Sequence, residues 1–199
     1  MKKFILAVIV MASITAVSQE TFDAGSVAKF QQELNAEFAA PDRSPLSPQD
    51  RADFKSLDFY PPNADYFVLA TFTPSDSEPF PMLTSTARRP MFRKYGDLTF
   101  TFKGKKMKLA LYQDVELVKK PEYRDYLFLP FSDLTNGKET YIGGRYIDMK
   151  IPTTATVAID FNKAYNPYCA YNHKYSCPAV PQENDLPVAI NAGVKKFHD

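Results

Sequence analysis

The chain has 199 residues and is close to electrical neutrality, with 24 Lys and Arg against 23 Asp and Glu. This balance excludes the strongly basic surface on which most nucleic-acid binding depends, and the lysine cluster 103–108 is expected to be the solvated tip of a hairpin. Sixteen Phe and 12 Tyr without any Trp, and 16 Pro against 7 Gly, favour a β-rich fold over a helical bundle.

Residues 1–18 have the pattern of a secretory signal peptide. Two lysines precede an apolar stretch that ends in the small residues Ala16-Val17-Ser18, so we predict cleavage before Gln19. The apolar stretch is too short to cross ~30 Å of hydrocarbon. We therefore predict an exported protein, periplasmic or secreted, with no membrane span in its mature form. The remaining residues, 19–199, are predicted to form a single β-rich domain.

One helix, and a stretch that could form another short helix, are predicted near the start of this domain. The first covers about residues 26–39, because apolar residues recur there at helical spacing and Pro41 prevents further growth; they are Val27, Phe30, Leu34 and Phe38. The second is short and lies within Gln49–Leu57.

After Pro62 the pattern changes to the period of two that is typical of strands. The clearest case is a hairpin around Gly104, in which alternate residues face the core; these include Phe100, Phe102, Leu109 and Leu111. The other predicted strands are Tyr66–Thr73, Leu83–Ala87, Tyr126–Phe131, Thr140–Ile142, Tyr146–Ile151 and Thr156–Phe161. We assign Tyr126–Phe131 to an edge or bulge because Pro130 cannot donate a ladder hydrogen bond.

These elements predict a mainly β fold. About eight strands with short turns indicate an antiparallel β-sandwich or a partly closed barrel, with one N-terminal helix and an irregular C-terminal segment. That last segment is Asp160–Pro178, which holds both cysteines and is rich in tyrosine, asparagine and proline. Turns, hydrogen-bond networks and crosslinks use such residues, whereas a regular apolar face does not.

Cys169 and Cys177 permit three interpretations. In an exported chain, two cysteines separated by seven residues are expected to form a disulfide. Alternatively, His173 between them gives a Cys-x3-His-x3-Cys arrangement that could hold zinc, with Asp160 or another carboxylate as fourth ligand. The third interpretation is a catalytic Cys169–His173 pair, which needs a free thiolate. We predict no cofactor, with zinc as the alternative.

A second polar group of residues could form a pocket that recognises a carboxylate or a sugar. Its candidate residues are Asp133, Thr140, Arg145, Asp160, Asn162 and Asn166, with Arg145 as a bidentate clamp. The structural alternative is that Asp133 caps a turn and Arg145 pairs with a nearby carboxylate. No nucleotide-binding loop, serine-nucleophile elbow or His-Glu-x-x-His motif occurs in the sequence, and the catalytic residues of any enzyme activity are unknown.

Four stretches of the chain closely resemble one family. They are residues 127–146, 160–171, 176–178 and 183–193, and they resemble the uncharacterised bacterial and archaeal family of domain of unknown function 1684, over roughly residues 25–197. The resemblance implies no particular activity. In two places the chain departs from the family pattern: Val194 replaces the usual glutamate after Ala-Gly, and Cys177-Pro-Ala-Val-Pro181 replaces Cys-Pro-x-Pro-Pro. A missing glutamate favours binding or structure over catalysis.

Two functional hypotheses follow from the sequence. In the first, the protein is an exported, non-catalytic β-domain that binds a small molecule or a cell-envelope partner. In the second, it is a hydrolase-like enzyme that uses the polar Asp/Arg/Asn pocket, with or without a metal. The two hypotheses differ in geometry, because only the second requires the candidate pocket residues to converge on one open cavity.

Overall fold

The computed structural model of the protein describes residues 20–198. The predicted signal peptide and Gln19, the residue after its cleavage site, lie outside the described residues. Within residues 20–198, no helix is long and apolar enough to cross a membrane.

Two α-helices precede the sheet in the described chain, α1 over Ala24–Ala39 and α2 over Pro48–Asp53. The side chain of Asp23 caps α1 by accepting a hydrogen bond from the Gly25 N–H, and the Ser47 side chain caps α2 by accepting from the Asp50 N–H. The predicted first helix is confirmed and begins two residues earlier. Its Phe38 packs edge-on against Tyr171, with ring centroids 4.7 Å apart, which fixes the end of α1 against the C-terminal segment.

Seven antiparallel strands within residues 20–198 form one curled sheet, a half-barrel, in the order β6-β5-β4-β3-β1-β7 with β2 beside β3. This confirms the predicted fold class. The strands are β1 Phe67–Pro74, β2 Phe80–Pro81, β3 Met91–Phe102, β4 Lys105–Asp114, β5 Tyr126–Phe131, β6 Arg145–Lys150 and β7 Thr156–Asp160.

The predicted hairpin is formed by β3 and β4, and it supplies the centre of the inner core. Phe100 lies opposite Met107 and Leu98 opposite Leu109. The predicted core residues are all buried in one cluster on the inner face of the half-barrel; they are Phe100, Phe102, Leu109 and Leu111. Full burial of each such side chain stabilises the fold by about 1.5–3 kcal/mol.

The outer face of the sheet is also apolar. Because side chains alternate along a strand, Leu127 and Leu129 belong to the inner cluster whereas Phe128, between them, belongs to an outer one. The outer cluster consists of Met82, Phe92, Ala110, Tyr112, Phe128 and Tyr146, with Tyr126 and Tyr165 partly buried beside it. This aromatic outer face borders the candidate site described below.

The assignment of Tyr126–Phe131 to a sheet edge was wrong, since β5 lies between β4 and β6. The sheet accommodates Pro130 through the buried side chain of Asn184. This amide accepts from the Ala110 N–H at 2.7 Å and donates to the carbonyls of Ala110 and Pro130. It thus satisfies backbone groups where β4 and β5 lack a regular ladder.

Two predicted short strands do not form. Leu83–Ala87 contributes a single bridge, between Thr84 and Pro178, and Thr140 makes one with Asn136. In both places a threonine hydroxyl bonds locally: Thr84 donates to the Arg88 carbonyl at 2.8 Å, and Thr140 bonds the Thr135 hydroxyl at 2.7 Å. Such side-chain bonds compete with regular strand pairing.

Candidate functional site

The predicted pocket residues Asp133 and Arg145 form a closed ion pair. Arg145 Nη2 donates to Asp133 Oδ2 at 2.8 Å, and neither side chain has any solvent exposure. Burial lowers the pKa of the Arg145 guanidinium, while the adjacent Asp133 raises it. The guanidinium also donates to the carbonyls of Ile190 and Ala192. Arg145 therefore attaches the C-terminal segment to the sheet, and its fully buried side chain is not accessible to a ligand.

Asp133 completes this network with its second carboxylate oxygen. Its Oδ1 accepts from the Thr135 N–H at 2.9 Å, the Thr135 hydroxyl at 2.7 Å and the Ile190 N–H at 3.1 Å. Gly193, just beyond, has φ +77°, and a Cβ there would lie 2.6 Å from the Ala164 carbonyl oxygen. A glycine is therefore required for the close approach of these two segments.

Thr140 joins the Asp133 network through the Thr135 hydroxyl, whereas the other candidates belong to separate networks. Asn162 accepts from the Asn63 N–H at 2.9 Å and donates to Asp160 at 2.8 Å, which joins β7 to the turn before β1. Asn166 donates to the Lys195 carbonyl at 2.9 Å. Among the described residues, the six predicted side chains do not line one open pocket together, and five of them are buried: Asp133, Thr140, Arg145, Asn162 and Asn166.

Val194, which stands where the family has glutamate, is also buried. It lies in an apolar cluster with Phe38, Leu46, Leu57 and Tyr171. In this chain, position 194 therefore contributes to packing between the helical segment and the C-terminal segment.

Cys169 and Cys177 are adjacent, buried free thiols in this structure. The Cys169 N–H donates to Cys177 Sγ at 3.2 Å. His173 is exposed, and the described chain has no group of three or more His, Cys, Asp or Glu side chains placed to hold a metal ion. The disulfide remains a prediction.

An open cleft of about 540 Å³ lies between α1 and the outer face of the sheet, and we call it the aromatic cleft. Phe30 and Leu34 of α1 form one wall, and the segment Cys177–Pro178 lies on another. The Tyr146 hydroxyl donates to the Pro178 carbonyl and so fixes that wall. The remaining aromatic lining residues are Phe92, Tyr126, Phe128, Tyr146, Tyr165 and Tyr168.

Several of these rings meet edge to face. Phe128 and Tyr146 have centroids 4.6 Å apart at 77°, and Tyr146 and Tyr165 have centroids 5.9 Å apart at 89°. Such edge-to-face pairs are mutually stabilising, and they turn some ring faces away from their neighbours. The cleft therefore has preformed, rigid aromatic walls.

Asp148 of β6 is the polar centre of the aromatic cleft. Its Oδ1 accepts from the hydroxyl of Tyr126 at 2.9 Å and from that of Tyr165 at 2.5 Å. Within residues 20–198, no hydrogen bond or ion pair engages Oδ2 of Asp148. Two rigid donors therefore hold the carboxylate while one oxygen remains available to a ligand.

The surroundings of Asp148 shift its titration. Asp148 is an exposed residue, but the protein around its carboxylate removes part of its hydration, and this desolvation raises its pKa. The two tyrosine hydroxyls lower the pKa, and the negative charge of Glu37 raises it further. Burial and the Asp148 charge also raise the pKa of Tyr126 and Tyr165, so both hydroxyls stay protonated and donate.

The rim of the aromatic cleft is acidic. Glu33, Glu37 and Asp114 line it together with Arg88, so with Asp148 four carboxylates face one guanidinium. Arg88 is already engaged, since it donates to the Ser176 carbonyl at 2.8 Å. Glu37 accepts from the Tyr168 hydroxyl. The charge of the cleft is thus complementary to a cation.

A second cleft of about 730 Å³ continues from the first, with Phe30, Asp148 and Tyr165 lining both. It lies between β6 and β7, which follow one another in sequence but occupy opposite edges of the half-barrel. Asp148 therefore stands where the two cavities meet and can be approached along either.

Sequence reasoning missed the aromatic cleft. Asp148 is one polar residue in an alternating strand, and no motif surrounds it. A signal was nevertheless present: Asp148 follows Tyr146 by two positions and so shares its sheet face, and tyrosines at 126 and 165 lie on other predicted segments. The distances between these segments could be known only after the strand pairing was known.

Comparisons with known proteins agree with this fold. The solution NMR structure of an uncharacterised protein from Haloarcula marismortui is 30% identical, with a TM-score of 0.67, over 86% of this chain and 92% of that chain. No curated protein matches the chain. The sequence profile of one family, described as "Protein of unknown function (DUF1684)", matches residues 52–195. The chain therefore belongs to this family of proteins of unknown function.

Proposed function

We propose that this protein is a non-catalytic binding domain whose aromatic cleft takes a ligand with a cationic ammonium group and an apolar body. The ligand is a small molecule or an exposed cationic side chain of a cell-envelope partner. The single observation that carries the proposal is Asp148, which two tyrosine hydroxyls hold through one oxygen among the aromatic residues that line an open cleft.

The chemistry of the cleft favours a cation for two reasons. The faces of tyrosine and phenylalanine rings attract cations, by about 0.5–2 kcal/mol depending on desolvation. A carboxylate with a free oxygen adds a charge-assisted hydrogen bond. An anionic ligand would meet the unpaired carboxylate and the acidic rim, which include Asp148 and Glu37.

The burial of the alternative pocket also supports binding over hydrolysis. A hydrolytic site built on Asp133 and Arg145 would need substrate to reach them, yet both side chains are fully enclosed. Their hydrogen bonds go to threonine and to backbone groups of the C-terminal segment, which is a structural use of the ion pair.

The test compares three probes that share a benzene ring and differ in charge: benzyltrimethylammonium, benzyl alcohol and benzenesulfonate. We expect the cation to bind about tenfold more tightly than the alcohol, and the sulfonate most weakly, by isothermal titration calorimetry. Asp148→Asn should remove the preference for the cation. The matched control is Asp76→Asn, an exposed aspartate outside both clefts, which should retain it.

Two results would overturn the proposal. One is equal affinity for the three probes in the wild-type protein. The other is a charge preference that survives in Asp148→Asn, which would place the cation site elsewhere on the surface.

We further propose that the protein is exported and that its mature form begins at Gln19. The support is the lysine-led apolar stretch followed by Ala16 and Ser18. Intact-mass measurement of the protein recovered from its native host should give the mass of residues 19–199. Retention of Met1 in the native protein would contradict export by this signal.

A further inference from the structure

The two cysteines lie in a wall that separates two cavities. Cys177 borders the aromatic cleft, whereas Cys169 borders a different pocket of about 630 Å³ on the other side. We call this cavity, which is distinct from both clefts described above, the histidine pocket. Its lining includes Tyr141, Cys169, Tyr171, His173, Phe197 and His198. A reagent in the histidine pocket would therefore meet Cys169 first, with Cys177 behind it.

The two thiols occupy unequal surroundings. Cys169 Sγ lies 3.9 Å from the Tyr141 hydroxyl, and hydrogen bonds from Cys177 and Ser85 also lower the pKa of Cys169, to about 6. The paired thiol raises the pKa of Cys177. Burial raises the pKa of Tyr141 to about 12, so its hydroxyl remains a donor at neutral pH. Both cysteine pKa shifts favour ionisation of Cys169 over ionisation of Cys177.

We infer that Cys169 and Cys177 form a thiol–disulfide exchange site that accepts a low-molecular-weight disulfide from the histidine pocket. The two cysteines are in contact, since the Cys169 N–H donates to Cys177 Sγ, and only Cys169 lines the histidine pocket, beside the Tyr141 hydroxyl. For a disulfide in that pocket, Cys169 is therefore the attacking cysteine and Cys177 the resolving one. This inference does not depend on which ligand occupies the aromatic cleft.

The exchange proceeds in two steps. The Cys169 thiolate attacks one sulfur of the substrate disulfide, the substrate S–S bond breaks and one substrate thiolate leaves. Cys177 then loses its proton and attacks Cys169 Sγ, so that the mixed disulfide breaks and the second substrate thiolate leaves. The cysteine pair, which starts as one thiolate and one thiol, loses two electrons and one proton, and the substrate disulfide gains them as one thiol and one thiolate.

The neighbouring contacts connect this chemistry to the aromatic cleft. The Cys177 N–H donates to Ser85 Oγ at 3.1 Å, and the next carbonyl, that of Pro178, accepts from Tyr146 of the cleft. A disulfide between Cys177 and Cys169 would attach to the same short segment, Cys177–Pro178, that forms one wall of the aromatic cleft. A disulfide would therefore add a covalent constraint to a wall that the Tyr146 hydrogen bond already holds.

Oxidised glutathione serves as the probe of the first step. Cys177→Ser lacks the resolving thiol and should retain glutathione on Cys169, as an adduct visible by intact-mass spectrometry. Cys169→Ser should form its adduct about tenfold more slowly. Wild-type protein should form the internal disulfide and retain no glutathione. Equal rates in the two single variants, or a faster reaction at Cys177, would overturn the assignment.

A second measurement needs no variant. Native wild-type protein, fully reduced and then treated with limiting iodoacetamide, should be alkylated first at Cys169, as peptide mapping can establish. The rate at Cys169 should reach its plateau near neutral pH because its pKa is lowered to about 6. If neither cysteine reacts until the protein is unfolded, the histidine pocket gives no access and the inference fails.

Discussion

Asp133 and Asp148 are two aspartates on the same half-barrel that have opposite environments. Four donors engage both oxygens of Asp133, including the guanidinium of Arg145, and its side chain is fully buried. Two donors engage one oxygen of Asp148, the other accepts no hydrogen bond from the described chain, and the residue is exposed. The first carboxylate connects segments of the chain. The second carboxylate is held in position through Oδ1, while its Oδ2 can still accept a hydrogen bond from a ligand.

This difference shows how a structural carboxylate can be separated from a binding one. A buried ion pair must pair both of its charges, because an orphaned charge in the interior is costly. Here both Asp133 oxygens accept hydrogen bonds and the two Arg145 Nη atoms donate them, while Arg145 Nε has no partner within residues 20–198. A binding carboxylate must keep an atom free, and the surrounding protein then raises its pKa, as it does for Asp148. Counting free oxygens therefore identifies the candidate site better than counting polar residues in the sequence.

The largest expected effect tests the structural half of the comparison. Arg145→Met leaves Asp133 buried without its counter-ion and should lower the free energy of unfolding by about 3–5 kcal/mol, as measured by urea denaturation. Arg43→Met, at an exposed arginine, is the matched control and should change it by no more than about 0.5 kcal/mol.

The double variant Arg145→Met with Asp133→Leu sharpens this test. Removing both charges should recover part of the loss, because no uncompensated charge is then buried. A loss below about 1 kcal/mol in the single variant would show that Asp133 is not confined as the structure indicates.

Sequence patterns predicted the regular parts of the fold for a physical reason. The hairpin of β3 and β4 pairs neighbours in sequence, and its alternation fixes which side chains, such as Phe100 and Leu109, face inward. Local rules failed where a distant residue intervened. Pro130 indicated an edge strand, but the amide of Asn184, far along the chain, satisfies the backbone groups at the interior position.

The candidate site was less predictable for the same reason. Asp133, Thr140 and Arg145 attracted attention because polar residues were dense in that stretch, yet the density reflects turn bonds and one buried ion pair. Asp148 is a candidate binding residue because the hydroxyls of Tyr126 and Tyr165 hold its carboxylate. These two tyrosines belong to β5 and to the segment after β7. Only the register of β5 with β6 and the bridge from Tyr146 to Tyr165 bring them together.

The smallest expected effect tests the other half of the comparison, with Asp148→Asn. The pKa of Asp148 is raised in the folded protein, so its stabilising contribution is complete below the pKa of the unfolded chain and is lost as pH rises through the folded pKa. At pH 7 the ionised carboxylate should thus slightly oppose folding. The side-chain amide introduced by the substitution would keep an oxygen for the tyrosine hydroxyls.

We therefore expect Asp148→Asn to equal or exceed the wild-type free energy of unfolding at pH 7, by no more than about 0.5 kcal/mol. The difference should shrink as pH falls towards the range of an ordinary aspartate, because the wild-type carboxylate then also becomes neutral. Urea denaturation between neutral and acidic pH measures it, and Asp76→Asn corrects for the change in net charge. A destabilisation of more than about 1 kcal/mol at pH 7 would place Asp148 with Asp133 as a structural carboxylate, because removal of its charge would then cost the fold a contact it needs.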